Sequence, residues 1–156
     1  MIAIVDDDKS MRQAIKGLVR SLGYRAITFR SAEEFLVSDV SETLCLITDV
    51  RMPGLSGLDL HRHLVAQGVY MPMIFMTAFP EEGTRARAVK TGAFGYLSKP
   101  FSEESLINCV DNALQSYEEN FRPNPQQIRL CHILSLIRLH IRMCVHSTLA
   151  RGNMPA

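Results

Sequence analysis

The residues of this chain best suited to chemistry each follow a short apolar run. Asp6 and Asp7 follow Ile2-Ala3-Ile4-Val5, and Asp49 follows Leu44-Cys45-Leu46-Ile47-Thr48. Thr77 and Ala78 follow Pro72-Met73-Ile74-Phe75-Met76, and Ser98, Lys99 and Pro100 follow Ala93-Phe94-Gly95-Tyr96-Leu97. Short apolar runs bounded by turn signals read as strands buried on both faces of a parallel sheet. The C-terminal ends of such strands are where open α/β sheets bind ligands. A lone aspartate there is more often a helix cap or a turn residue. Four strand ends that each bring a polar group to one rim are a different matter.

Three carboxylates gathered at one rim repel one another, and a cation must relieve them if all are to stay ionised. Oxygen ligands that are few and leave room for water suit Mg²⁺ or Mn²⁺ better than Zn²⁺. One carboxylate can then act as a nucleophile toward phosphorus and form an aspartyl-phosphate. Phosphoryl transfer needs positioning and neutralised oxygens more than further covalent help. The ammonium of Lys99 and the hydroxyl of Thr77 are the groups that would neutralise and bind those oxygens. Ala78 is small and leaves the phosphorus open to a donor or to water.

The elements that must position these groups are legible in outline. Strands are expected over 2–5, 25–29, 44–49, 72–76 and 93–97. Ser10 is a candidate cap for a first helix with Met11, Ile15, Leu18, Val19 and Leu22 inward, stopped by Gly23. Ser31-Ala32-Glu33-Glu34 reads as a capping box opening a short helix through Val37. The loop Pro53-Gly54-Leu55-Ser56 leads to a helix over 57–67 with Leu58, Leu60, Leu64 and Val65 inward. Further helices are expected over 81–91 and after Ser102, the latter lined by Leu106, Val110, Ala113 and Leu114. Strict alternation of strand and helix predicts a doubly wound α/β fold, a parallel sheet with helices on both faces and right-handed crossovers.

Composition narrows the function classes. The 156 residues suffice for one domain with a sizeable core and an appendage. Residues 1–119 hold 12 bases against 16 acids, a net of −4, so this part has no basic footprint for nucleic acid. Residues 120–156 hold five arginines and no acid, a net of +5. Cys45, Cys109, Cys131 and Cys144 form no Cys-x-x-Cys pair and read as reduced thiols of a cytoplasmic protein. There is no signal-peptide pattern and no apolar run of about 18 residues, so no membrane span is expected.

At this point the residues match a family. Ile4-Val5-Asp6-Asp7, the run Thr48-Asp49-Val50-Arg51-Met52-Pro53-Gly54-Leu55-Ser56-Gly57, Phe75-Met76-Thr77-Ala78 and Tyr96-Leu97-Ser98-Lys99-Pro100-Phe101 together resemble the receiver domain of two-component response regulators. Ser31-Ala32-Glu33-Glu34-Phe35 and Asp49-Val50-Arg51-Met52-Pro53 look most like its FixJ-like branch. The resemblance implies a flavodoxin-like (βα)5 fold with strand order 2-1-3-4-5. It implies that Asp49 is the phospho-acceptor. Mg²⁺ would be held by Asp7, Asp49 and the backbone carbonyl of Arg51, with Asp6 acting through water. Lys99, Thr77 and Ala78 would lie at the phosphate, with a cis Lys99–Pro100 bond. Thr77 and Tyr96 would form the switch that relays phosphorylation to a face made of the fourth helix, fifth strand and fifth helix. The implied donor is a sensor histidine kinase or phosphotransfer protein, and the implied output a phosphorylation-dependent homodimer through the helix over 81–91 and the fifth strand.

Other residues carry plainer expectations. Asp8 should face solvent. His61 and His63 sit two apart on a helix surface and do not form a metal site. Arg85, Arg87 and Lys90 are either a solvated face or part of the dimer surface. The side chain of Arg51 belongs at the mouth of the pocket. The competing enzyme reading, a Mg²⁺-dependent phosphatase or phosphotransferase using Asp49 as nucleophile, calls for an Asp-x-Asp pair and a cap insertion. Here Asp49 is followed by Val50-Arg51 and the loops are short, so no turnover of a generic phosphomonoester is expected.

The domain organisation expected is a receiver over 1–119, a linker over 120–127 and a basic apolar tail over 128–156. FixJ-like regulators usually continue into a LuxR-type DNA-binding domain, and the segment 128–156 is too short for one. DNA binding by this chain is therefore not expected. Leu130, Leu134, Ile137, Ile141 and Cys144 suit a helical stripe, with Arg129, Arg138 and Arg142 interleaved. The tail reads as a dimerising or packing helix, a segment for an anionic surface, or a transcriptional-regulator remnant that has lost its output domain.

Overall fold

The structure, a computed structural model, describes residues 1–79 and 93–120. The helix expected over 81–91, with Arg85, Arg87 and Lys90, lies outside the described residues, as does everything from 121 onward. The elements run β1 (Ile2–Val5), α1 (Lys9–Ser21), β2 (Ala26–Phe29), α2 (Ala32–Val37), β3 (Cys45–Asp49), α3 (Gly57–Ala66), β4 (Met73–Thr77), β5 (Gly95–Ser98) and α4 (Glu103–Asn120). All pairings are parallel and the order is β2-β1-β3-β4-β5, as the alternation and the resemblance required.

Every residue of β1, β3 and β4 is buried, which is why these strands read as unbroken apolar runs. The strand period of two sorts their side chains between the faces. Ile2, Ile4, Cys45, Ile47, Ile74 and Met76 meet Ile15 and Val19 of α1 and Leu106, Val110 and Ala113 of α4. Ala3, Val5, Leu46, Met73 and Phe75 meet Ala32 and Phe35 of α2 and Leu60 and Leu64 of α3. Burial pushes the Cys45 thiol up to about 12, with nearby Cys109 adding to the effect, so Cys45 is an inert core thiol. No helix among the described residues is long and apolar enough to cross a membrane.

Three local expectations are corrected. Ser10 is not the cap of α1, which starts two residues earlier, at Lys9. Asp8 is the cap, its Oδ1 accepting from Ser10 N at 2.7 Å and Met11 N at 3.2 Å. A carboxylate is at least as good a cap as a hydroxyl and also complements the positive end of the helix. Asp8 is nevertheless exposed, as expected. On α3 the inward stripe is rotated: Val65 is 39% exposed, whereas His61 is 6% exposed and packs edge-on against Phe75. Gly57, Leu60, His61 and Leu64 are the buried set, one continuous helical stripe that includes a histidine. Burial lowers the His61 pKa, so the ring sits neutral in the core. The α2 box is only half formed in the expected sense. Ser31 Oγ accepts from Glu34 N, but the Glu34 carboxylate reaches past the cap to Arg30 N at 2.7 Å. Element ends elsewhere shift by one or two residues.

Two glycines differ sharply in surroundings, and this yields a test of the packing. A Cβ on Gly57 would fall against the Asp49 carbonyl oxygen, while one on Gly17 meets nothing within 4 Å. We expect Gly57→Ala to destabilise the protein by about 1–3 kcal/mol. Gly17→Ala, within α1, should stabilise it by about 0.4–1 kcal/mol. Urea denaturation of both variants decides.

Candidate functional site

The parallel register brings the C-terminal ends of β1, β3, β4 and β5 to one rim, and the chemistry-bearing residues with them. Asp6, immediately beyond β1, is fully buried. Its Oδ1 accepts from Asp8 N at 2.8 Å and its Oδ2 accepts from Lys99 Nζ at 2.7 Å. Asp49, the last residue of β3, is 7% exposed, and its Oδ1 lies 3.2 Å from the same ammonium. Asp7 is exposed, and one oxygen from each of Asp6, Asp7 and Asp49 lies within 4.8 Å of the others. This is an all-oxygen donor set, half open to water, of the kind a hard divalent cation takes.

The electrostatics are those of a crowded acidic site. Burial is the largest effect on Asp49 and raises its pKa; the Lys99 charge and hydrogen bond oppose it, and Asp6 and Asp7 push it up further. Burial works against the Lys99 ammonium, but the hydrogen bond and charge of Asp6, then the charge of Asp49, outweigh it and raise the Lys99 pKa. Lys99 therefore stays charged at neutral pH and is the only cation bridging two of the three acids among the described residues. Its backbone is set by Lys99 N donating to Thr77 O at 2.7 Å and by a cis bond to Pro100.

Thr77 ends β4 with its side chain buried. Its hydroxyl accepts from Phe79 N at 3.2 Å and lies 3.3 Å from Phe79 O. Ala78 beside it is exposed. Tyr96 pairs in register with Phe75 across β4 and β5 and is half-buried against the core under α2 and α3. The guanidinium of Arg51 stands 4.7 Å from the centre of the Phe79 ring, so the loops after β3 and β4 touch over the rim.

Several contributors were not legible. Arg12 Nη1 donates to the Asp6 carbonyl at 2.6 Å, tying α1 to the site. Glu33 Oε1 accepts from Leu55 N at 2.8 Å, tying α2 to the loop after Asp49. Phe79 meets Arg51. For Glu33 the sequence offered only the capping-box pattern, which concerns a different part of the helix.

The response regulator receiver domain family matches residues 2–111, and the chain belongs to that family. Among curated relatives, nodulation protein W of Bradyrhizobium diazoefficiens is 41% identical over 111 residues, 70% of this chain and 49% of that protein. The transcriptional regulatory protein FixJ of Azorhizobium caulinodans is 36% identical over 122 residues, 78% of this chain and 58% of that protein. The chain thus spans about half the length of such relatives. The crystal structure of FixJ-N superimposes with a TM-score of 0.67 at 29% identity, covering 73% of this chain and 92% of that one. The FixJ-like flavodoxin-type receiver fold is therefore established, and with it membership in two-component signalling.

A raised pKa at Asp49 has a sign that can be checked. The native state holds that proton more tightly than the unfolded chain does. Its contribution is favourable in acid and is lost as pH rises from the ordinary value of 3.8 through the raised one. In metal-free buffer at neutral pH, Asp49→Asn should stabilise the protein by about 0.5–2 kcal/mol. The gain should shrink as the pH falls, as read by denaturation at both pH values.

Proposed function

We propose that Asp49 is the phospho-acceptor of a phosphorylation-controlled switch spanning residues 1–119, and that it works in the cytoplasm with Mg²⁺ (Mn²⁺ as a substitute). The observation that carries this reading is the Lys99 ammonium poised between Asp6 and Asp49, with Asp7 completing the acidic cluster. The residues fit the ion: Asp7, Asp49 and the Arg51 carbonyl would hold it directly and Asp6 through water. When bound, the ion supplies positive charge that draws phosphoryl oxygens to the carboxylate.

In the step itself an Asp49 carboxylate oxygen attacks the phosphorus of a phosphohistidine on a sensor kinase or phosphotransfer protein. The O–P bond forms, the N–P bond breaks, and the imidazole leaves with the electron pair and takes up a proton. Lys99, already 3.2 Å from Asp49 Oδ1, pairs with the new phosphoryl group. The Thr77 hydroxyl leaves the Phe79 backbone for a phosphoryl oxygen, and Ala78 leaves the approach open. Tyr96 follows Thr77 and alters the face of β5. Arg51 and Phe79 cover the rim and influence how long the phosphoryl group survives.

Acetyl phosphate with Mg²⁺ should add one phosphoryl group to the full chain, read by intact mass. Asp49→Asn or chelation of the metal should abolish the addition. Lys99→Ala should slow it by about 10²-fold or more. Labelling of Asp49→Asn at the wild-type rate would refute the assignment.

The output is a homodimer through β5 and the segment 81–91. Light scattering of the full chain should show its mass doubling with Mg²⁺ and beryllium fluoride, a mimic of the aspartyl-phosphate. No change in mass would place the output on contacts with another protein.

A further inference from the structure

The loop from Asp49 to Gly57 carries the Arg51 carbonyl, and its near end is fixed by the sheet. Val50 N donates to Met76 O at 2.8 Å, and Gly57 N donates to Val50 O at 3.1 Å. Met52 is buried in the core under α2 and α3. The far side is held by a different device. Glu33, exposed on the first turn of α2, extends its carboxylate across to the loop and accepts from Leu55 N at 2.8 Å. The same carboxylate lies against Gly54, which has φ +79; a Cβ there would be strained by the backbone and would strike Glu33 Oε1. The fit is thus mutual: a glycine shaped for a left-handed turn, and an acid that occupies the space its missing side chain leaves. The Leu55 hydrogen bond is also the largest of the influences that hold the Glu33 carboxyl below its usual range.

We infer that Glu33 is a positioning residue for the metal site. It touches neither the ion nor the phosphoryl group. By gripping Leu55 N it fixes the bend over 53–55 and so sets where the Arg51 carbonyl can sit. Partners that orient metal ligands typically alter affinity by about 10–100-fold when removed. Glu33 acts on a main-chain ligand through a loop, so the lower end of that range is expected. This inference rests on the proposed role of the Arg51 carbonyl in holding Mg²⁺.

The test uses the full chain and Mg²⁺ alone, with binding followed by calorimetry and amide exchange followed by NMR. Glu33→Ala should speed exchange at Leu55 in metal-free protein and weaken Mg²⁺ binding by about 10-fold, leaving the urea midpoint nearly unchanged. Glu33→Gln keeps a neutral acceptor and should recover part of the affinity, since a neutral hydrogen bond is about half as strong as a charge-assisted one. Glu34→Gln, one residue on, removes the charge from the contacts to Arg30 N and the Arg30 guanidinium and should bind Mg²⁺ like the wild type. If Glu33→Ala frees Leu55 but binds Mg²⁺ with wild-type affinity, the inference falls while the site reading stands. If the wild type itself binds no Mg²⁺, both fall together.

Discussion

The structure turns on one ammonium shared between two buried carboxylates. Asp6 is fully buried and Lys99 is its ion-pair partner from 93 residues away in sequence. An ionised carboxylate so placed costs several kcal/mol unless it is paired and hydrogen-bonded. Asp6 meets that requirement with Lys99 on one oxygen and Asp8 N on the other. The pairing works only if β1, β3 and β5 end at the same level. Parallel register secures this, because Val5 lies opposite Thr48, Asp49 opposite Met76, and Thr77 opposite Ser98. A slip of one residue in any of these pairings would also turn every apolar side chain of that strand to the other face. Core and site therefore specify each other.

The close fit beneath Asp49 follows from the same demand. The strand that carries Asp49 must end at the rim, yet the chain must turn at once to start α3 and cover the sheet. Gly57 lets the first turn of α3 come against the Asp49 carbonyl, and the Ser56–Asp59 capping box fixes where that helix begins. Met52 is buried while Arg51 beside it stays exposed, so this one loop both anchors in the core and lines the rim. The carboxylate is left at the edge of a rigid frame, with its apolar surroundings on one side and water on the other.

How much of this was legible depended on whether a residue's role follows from its own neighbours in sequence. Asp6, Asp49, Thr77 and Lys99 were readable because each terminates an apolar strand, and the parallel fold maps strand ends onto a single rim. The strand order came from the resemblance, since alternation alone gives a parallel sheet without the sequence of its strands. His61 and Val65 were assigned to the wrong faces because polarity outweighed phase, although Gly57, Leu60, His61 and Leu64 form the better helical stripe. For Asp8 the residues around it imply solvent exposure and not its role as a cap, because only the turn geometry shows that its oxygen reaches Ser10 N and Met11 N. Arg12, Glu33 and Phe79 act on groups from other elements or on main-chain atoms, and no local pattern marks such contacts.

The same site that is costly to build is for that reason easy to shift. Asp49 sits in surroundings that disfavour its charge, and one lysine divides itself between two acids. A group that brings its own countercharge to Asp49, or binds Lys99 more strongly than a carboxylate does, acts on a balance already close. In the proposed switch Thr77 gives up only neutral contacts to the Phe79 backbone at 3.2 and 3.3 Å, and a net hydrogen bond of that kind contributes about 1 kcal/mol. A charge-assisted bond to a phosphoryl oxygen is roughly twice as strong. The two sides of the exchange are of similar size, so it is close to balanced and small against the stability of the fold. It can therefore move the end of β4 without disturbing the core, where Phe75 and Met76 remain fully buried on opposite faces of the sheet. A ligand shifts a conformational equilibrium only by its difference in affinity for the two states. Here that difference arises at the strand ends, where polar groups have two sets of partners, and not among the apolar side chains, which have one.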